Sequence, residues 1–266
     1  MLDPQSWLEQ AQELSLGERL RTDHDCGEGR TLLIEHKPKG YSAWCHRCSD
    51  SGWHWHPQPS LAERIASLNA VKAAESAARG KLSPPRPTEF NPSLWPLYAR
   101  VWLYQGGFSN DAIQSHGFYY SEPLDRVVLP VLAGGRVIYW QARGFNPDRP
   151  KYLNPLIDKP VACYGERGPL VLTEDILSAA RIGATGARGR AILGTSLGNS
   201  QLQRIQAEVD GGPAFMWFDD DKAGRKARAR VKRQLALVGV PSTIIRSPLD
   251  PKLYSDAQIE EFIQLA

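Results

Sequence analysis

The chain has 266 residues, 32 Lys and Arg against 29 Asp and Glu, and a formal net charge of +3. At 42% hydrophobic and 23% charged it can fill packed cores and lacks the composition of a disordered chain. No apolar run approaches the roughly 20 residues of a bilayer span, the acids Asp3, Glu9, Glu13 and Glu18 are out of keeping with a secretory leader, and so small a net charge does not by itself indicate nucleic acid. The expectation is a cytoplasmic protein with no membrane partner.

The charge is unevenly spread. Residues 1–60 carry −3 and the remainder +6, with seven basic side chains between Lys222 and Arg233. Residues 1–58 form a head rich in Cys, His and Trp. Cys45-His46-Arg47-Cys48 has the spacing that lets two thiolates share one tetrahedral ion. Cys26 supplies a third thiolate. His24 beside it suits a thiolate-rich site better than the carboxylate of Asp23, so His24, Cys26, Cys45 and Cys48 are the expected zinc ligands. Asp23, His46 and His54 are the alternatives for the non-Cys position. Thr31–Glu35 and Gly40–Trp44 are expected to pair as ribbon strands. Metal would supply much of the folding energy of so small a head. Trp53 and Trp55 are candidates for stacking on unpaired bases, and Trp44 is read as packing.

Residues 59–92 read as a linker. Ser60 and Glu63 form a capping box before an Ala-rich helix with Leu61, Ile65, Leu68 and Val71 at helical spacing. Gly80 stops it, and Pro84, Pro85, Pro87 and Pro92 predict an extended connection across which the head is flexibly tethered.

Residues 93–266 read as an α/β body, with an N-terminal part over 93–167 and a second part over 168–266. Arg126–Val131 and Arg136–Trp140 form a hairpin through Ala133-Gly134-Gly135. Strands are expected at Leu170–Thr173, Ala191–Leu193, Ala214–Phe218 and Ser242–Ile245. Helices are expected over Ile176–Arg181, Leu202–Val209 and the basic run from Lys222. That alternation predicts a mainly parallel sheet, and Cys163 is assigned to packing. The acids Glu174, Asp219, Asp221 and Asp250 follow strands, where ligands gather in open α/β sheets. Carboxylates so placed repel one another, and one or two Mg²⁺ or Mn²⁺ ions relieve that. Lys222 opens the basic helix, which suits a phosphate backbone or a triphosphate.

This constellation resembles a TOPRIM domain, and the whole chain resembles the bacterial and bacteriophage type of DNA primase. The similar segments, in family order, are Arg126-Val-Val-Leu-Pro130, Gly135-Arg136-Val-Ile138, Ala142-Arg143-Gly144, Pro150-Lys151-Tyr152-Leu153-Asn154, Lys159 with Tyr164-Gly165, Glu174, Leu193-Gly194-Thr195-Ser196-Leu197, Asp219 with Asp221, and Asp250-Pro251. The resemblance implies an α/β (α+β overall) protein: a small zinc ribbon, a helical and Pro-rich linker, and an RNA polymerase core. In that core a mixed N-terminal subdomain precedes a TOPRIM-type, mostly parallel sheet. It implies synthesis of short RNA primers from ribonucleoside triphosphates on single-stranded DNA by two-metal nucleotidyl transfer, with Glu174, Asp219, Asp221 and Asp250 catalytic. Arg126, Arg143, Lys151, Lys159 and Lys222 would then meet template or nucleotide. A separate replicative helicase and a DNA polymerase are the implied partners, as in the phage layout without a fused helicase. The family usually has Gly after the catalytic Glu and Asp three residues later, where this chain has Asp175 and Ser178. A TOPRIM nuclease and a non-catalytic zinc-ribbon DNA-binding accessory are the rival readings.

Overall fold

The head closes around one apolar face. In the computed structural model, which describes residues 1–57, 60–86 and 88–266, a short helix α1 (Leu8–Gln12) precedes four antiparallel strands. These are β1 (Arg19–His24), β2 (Gly27–Lys37), β3 (Gly40–Cys45) and β4 (Ser51–Trp55), paired in chain order. Leu32, Ile34, Ala43 and Cys45 share the inner face by strand alternation. Leu2, Trp7 and Ala11 of the N-terminal segment cover it, with Trp7 only 1% exposed. The head therefore has a small core of its own beside the metal-ligating cysteines.

The helix α2 (Leu61–Arg79) forms where the Ala-rich run predicts it. Its described apolar residues Leu61, Ile65 and Leu68 are exposed, whereas Ala74 and Ala78 pack on the body's main core. The side chains of Glu63 and Val71, and with them the expected capping box, lie outside the described residues, as does Pro87. The segment after α2 is not a free tether. Tyr119 donates to the Pro85 carbonyl at 2.7 Å, the backbones of Glu89 and Tyr120 exchange hydrogen bonds at 3.0 Å, and Pro85 and Pro92 are buried. Proline there fits chain pinned in an extended path along the body.

The body begins with α3 (Leu97–Gln105) and α4 (Asn110–Ser115), followed by the antiparallel strands β5 (Tyr119–Ser121), β6 (Arg126–Ala133), β7 (Arg136–Gly144) and β8 (Tyr152–Leu153). Beyond them come β9 (Ala162–Tyr164), β10 (Leu170–Thr173), α5 (Ile176–Ala184), β11 (Arg188–Ala191), α6 (Asn199–Glu208), β12 (Ala214–Met216), α7 (Lys222–Leu237), β13 (Ser242–Ile244) and α8 (Asp256–Gln264). Their sheet runs β13-β12-β10-β11-β9, parallel except for the edge strand β9. Leu170 and Leu172 face α6 and α7, while Val171 faces α8, so the sheet is covered on both sides. Helix α5 is buried in the core that also holds Trp95, Leu129 and Trp140, which joins the two sheets into one body.

Strand β11 (Arg188–Ala191) lies earlier than the expected Ala191–Leu193. Arg188 and Arg190 obscure its pattern, because their guanidinium groups are spent on Asp210 at 3.0 Å and Glu208 at 2.5 Å. Arg126 is likewise structural. It is 0% exposed, its Nη1 donates to the carbonyls of Ala142 and Pro150, and its Nη2 pairs with Glu75 of α2 at 2.6 Å. That removes it from the expected nucleotide-contacting set.

Removing one partner of a buried pair strands the other charge. Glu75→Ala is expected to destabilise the body by about 3 kcal/mol in denaturant titration. A change below about 0.5 kcal/mol would show that the pair does not hold α2 in place.

Candidate active site and metal centre

In the ribbon, a hairpin turn and a strand pairing bring four ligands together. His24 and Gly27 pair across the β1–β2 turn, which places Cys26 at its tip, and Cys45 ends β3. One ligand atom from each of His24, Cys26, Cys45 and Cys48 lies within 4.8 Å of every other. Cys26 and Cys45 Sγ are 3.5 Å apart, and Cys48 Sγ is 3.6 Å from His24 Nδ1. Three thiols and one imidazole fit a soft, tetrahedral, closed structural metal site. Asp23, His46 and His54 are not part of this cluster.

The outer face of the ribbon is aromatic. The register Trp44↔Ser51, Ser42↔Trp53 and Gly40↔Trp55 puts all three tryptophans on one side. Trp44 is 43% exposed, so it does not fill the head's core as expected; Trp7 has that place. Trp53 and Trp55 meet edge to face at 5.0 Å, and Lys37 Nζ lies 5.5 Å from the Trp53 ring.

The second cluster stands at the carboxyl ends of β10, β12 and β13. Parallel pairing of Leu172 with Met216 brings the two strand ends side by side, so Glu174 and Asp219 emerge as neighbours. Asp221 caps α7, accepting from Gly224 N at 2.7 Å. Asp220 turns away to Arg228 at 2.6 Å. Gly224 is needed for this approach: a Cβ there would lie 2.0 Å from the Asp219 carbonyl and 3.1 Å from Glu174 Oε1. Burial, reinforced by the charges of Asp219, Asp221 and Asp175, pushes the Glu174 carboxyl up to about 7. Burial and a hydrogen bond with Asp250 push Asp219 up to about 7. Glu174 Oε1 is buried and has no hydrogen-bond partner among the described residues. Half-buried, mutually repelling carboxylates, one of them with an unpartnered oxygen, have the hard-donor chemistry that suits a divalent cation.

Two site residues escaped sequence reading. Lys252 donates to Asp250 at 2.6 Å and to Asp175 at 3.1 Å. Tyr152 is flanked by Arg143, whose guanidinium lies 5.5 Å from its ring, and feels the charges of Asp175, Lys252 and Asp219. The antiparallel sheet thus faces the acids through Tyr152. Arg143 also lies over Trp102 at 5.7 Å and Phe145 at 5.4 Å, an aromatic cage that fixes its direction. Lys151 is exposed, with Nζ 5.9 Å from the Tyr152 ring. Lys159 donates to the Leu193 carbonyl at 2.7 Å and bridges to the loop after β11, where Leu193 has a left-handed φ of 59°. Lys222 opens α7 and is exposed. Asp175 caps α5 through Ser178 N at 3.1 Å and also accepts from Ser178 Oγ at 2.7 Å, which accounts for both residues at which the chain departs from the usual pattern.

Residues 173–257, which hold this whole cluster, match the Toprim-like protein family. The DNA primase of Synechococcus elongatus is 26% identical over 165 residues, covering 53% of this chain and 24% of that protein. A DNA primase of Pseudomonas putida is 31% identical over 130 residues, 43% of this chain and 19% of that protein. The zinc-binding and RNA polymerase domains of the Aquifex aeolicus primase superpose with a TM-score of 0.53 at 16% identity, covering 99% of this chain and 83% of that one. The chain resembles the bacterial-type DNA primases in sequence and in fold. The Escherichia coli primase catalytic core gives a TM-score of 0.50 at 20% identity over 74% of this chain and 78% of that one. The chain spans a quarter or less of the length of the curated primases it matches. Among the described residues no helix is long and apolar enough to cross a membrane.

Two outcomes are expected for the primase-like chain. His24→Ala or Cys26→Ser abolishes binding of the ribbon's metal ion and opens the ribbon to protease, with the body's resistance unchanged. Metal content equal to wild type in both variants would refute the ligand set. In the body, a divalent ion must displace the protons held by Glu174 and Asp219, so affinity for Mg²⁺ or Mn²⁺ rises with pH from about 5 and levels off above about 7. Calorimetry in buffers of different ionisation enthalpy reads the released protons; pH-independent binding without proton release would contradict it.

Proposed function

We propose that the chain is a DNA primase, a nucleotidyltransferase that makes short RNA primers on single-stranded DNA from ribonucleoside triphosphates. The observation that carries this reading is the pairing, within one chain, of a thiolate ribbon bearing an exposed tryptophan face and a half-buried carboxylate cluster that shares Tyr152 as a neighbour with the caged Arg143. Residues 1–58 are assigned to template recognition, 59–92 to the connection, 93–167 to the N-terminal part of the polymerase core and 168–266 to its Toprim part.

The ribbon's ion is zinc, held by His24, Cys26, Cys45 and Cys48 as a structural group. Trp53 and Trp55, with Trp44 beside them, offer π-faces on which template bases stack without needing a strongly basic surface. In the body, Glu174, Asp219 and Asp221 would hold Mg²⁺ or Mn²⁺, with Asp250 adjacent. Such an ion, when bound, neutralises phosphate charge and favours attack by a hydroxyl. The remaining work belongs to the protein's own groups. Both nucleotides of a new primer are held only by the enzyme, so positioning dominates the barrier. Arg143, held by three rings, is a pre-aimed phosphate cation, and Lys151 is an exposed one near it. Lys159 tethers the loop after β11 through the Leu193 carbonyl, and Lys222 follows Asp221 at the start of α7. A helicase and a DNA polymerase acting with the primer are the partners this role requires.

With single-stranded DNA, ribonucleotides and Mg²⁺ or Mn²⁺, the protein is expected to make short RNA. Asp219→Asn and Glu174→Gln should each lower synthesis by about 10³-fold or more with the fold retained, since each removes several kcal/mol of charge stabilisation. Full activity in both would end the assignment. Cys45→Ser should impair template-directed initiation more than extension of a supplied primer. Equal loss of both activities would argue against the ribbon's role.

A further inference from the structure

The carboxylates at the strand ends are sorted into two groups by their partners. On one side, Asp175 and Asp250 share the ammonium of Lys252, at 3.1 Å and 2.6 Å. On the other, Glu174 and Asp219 make no ion pair among the described residues: Asp219 hydrogen-bonds to Asp250 and feels the Lys252 charge only at longer range, and Glu174 Oε1 is buried without a hydrogen-bond partner.

Lys252 is not a passing surface lysine. Its side chain is only 20% exposed, and its two partners are 28% and 25% exposed. The turn Pro251–Leu253 that presents it is fixed at both ends. Leu253 N donates to the Asp250 carbonyl at 2.9 Å, and Pro251 is buried. The next residue, Tyr254, packs against Trp217 and Phe262, and its carbonyl accepts from Arg181 at 3.0 Å. The second partner is equally constrained, because Asp175 is held in place as the cap of α5. An ammonium set between two fixed carboxylates occupies the place where a bridging cation would sit. A divalent ion could enter there only by displacing the Lys252 ammonium from both carboxylates.

We propose that Lys252 is the resident cation of the Asp175–Asp250 side, so that the site takes one divalent ion, at Glu174, Asp219 and Asp221, rather than two. This rests on the reading of the body as a divalent-cation nucleotidyltransferase. In that reaction Lys252 acts as a positioning and charge-neutralising residue. It holds Asp250 in register with Asp219 and supplies the positive charge that a second ion would otherwise bring. A protonated lysine delivers one charge with directional hydrogen bonds and does not exchange with solvent ions.

The test counts Mn²⁺ bound by the zinc-loaded full chain, from the electron paramagnetic resonance signal of the free ion at pH 7.5. One Mn²⁺ per wild-type chain is expected, lost in Asp219→Asn. Lys252→Ala and Lys252→Gln, checked for native thermal unfolding, should each bind two. Two ions in the wild type would overturn the inference and leave the nucleotidyltransferase reading intact, and this holds whether or not the variants fold. A single ion in folded forms of both variants would likewise overturn it. No Mn²⁺ bound by the wild type would overturn the underlying reading and the inference with it.

Discussion

Like charges forced together at the ends of parallel strands are the constraint around which the body is arranged. Strands β10 and β12 pair in parallel, and each ends in acids, so folding itself brings Glu174 beside Asp219. Carboxylates at that spacing cannot all ionise cheaply. The fold deals with each one separately. Asp221 is turned into a helix cap, Asp220 is turned outward to Arg228, and Asp175 caps α5 and meets Lys252 together with Asp250. What remains without an ion-pair partner among the described residues is Glu174 with Asp219, both held near neutral pKa and Asp219 sharing a hydrogen bond with Asp250. Repulsion left unrelieved at one spot, with Asp221 adding to it from the head of α7, is what suits a metal-dependent site.

On the proposed reading, the ribbon and the body would use metal for opposite purposes. The ribbon's thiolates and imidazole suit an ion that holds a small fold together, and the hydrophobic cover of Leu2, Trp7 and Ala11 shares that task. The body has three apolar clusters of its own, and on the proposed reading its carboxylates would use a metal ion for chemistry. Helix α2 and the proline-rich segment, pinned to the body by Glu75, Pro85 and Glu89, limit any freedom of the ribbon to the chain ahead of that docking.

Much of this was legible in the sequence because it is encoded locally. The Cys-x-x-Cys knuckle, the hairpin around Gly134 and Gly135, and apolar runs ending in Glu174 and Asp219 announce themselves within a few residues. The rest depends on partners far apart in the chain. Arg126 reads as a phosphate-binding cation until Glu75, 51 residues upstream, is seen to claim it. Lys252 has a partner 77 residues away in Asp175. Strand β11 hid behind Arg188 and Arg190, whose charges are cancelled only in the fold. Trp44 looked like core filling because nothing nearby showed that Trp7 already had that place. Long-range pairing of charges, rather than local propensity, is where sequence reading ran out.

Glu174 and Asp219 are thus the proposed seat of a divalent cation. Crystals of the protein soaked in Mn²⁺ and measured at the manganese absorption edge test it most directly. An anomalous peak within coordinating distance of the carboxylate oxygens of Glu174 and Asp219 is the expected result. A map with no peak there, from crystals in which both carboxylates are ordered and open to solvent, would contradict it.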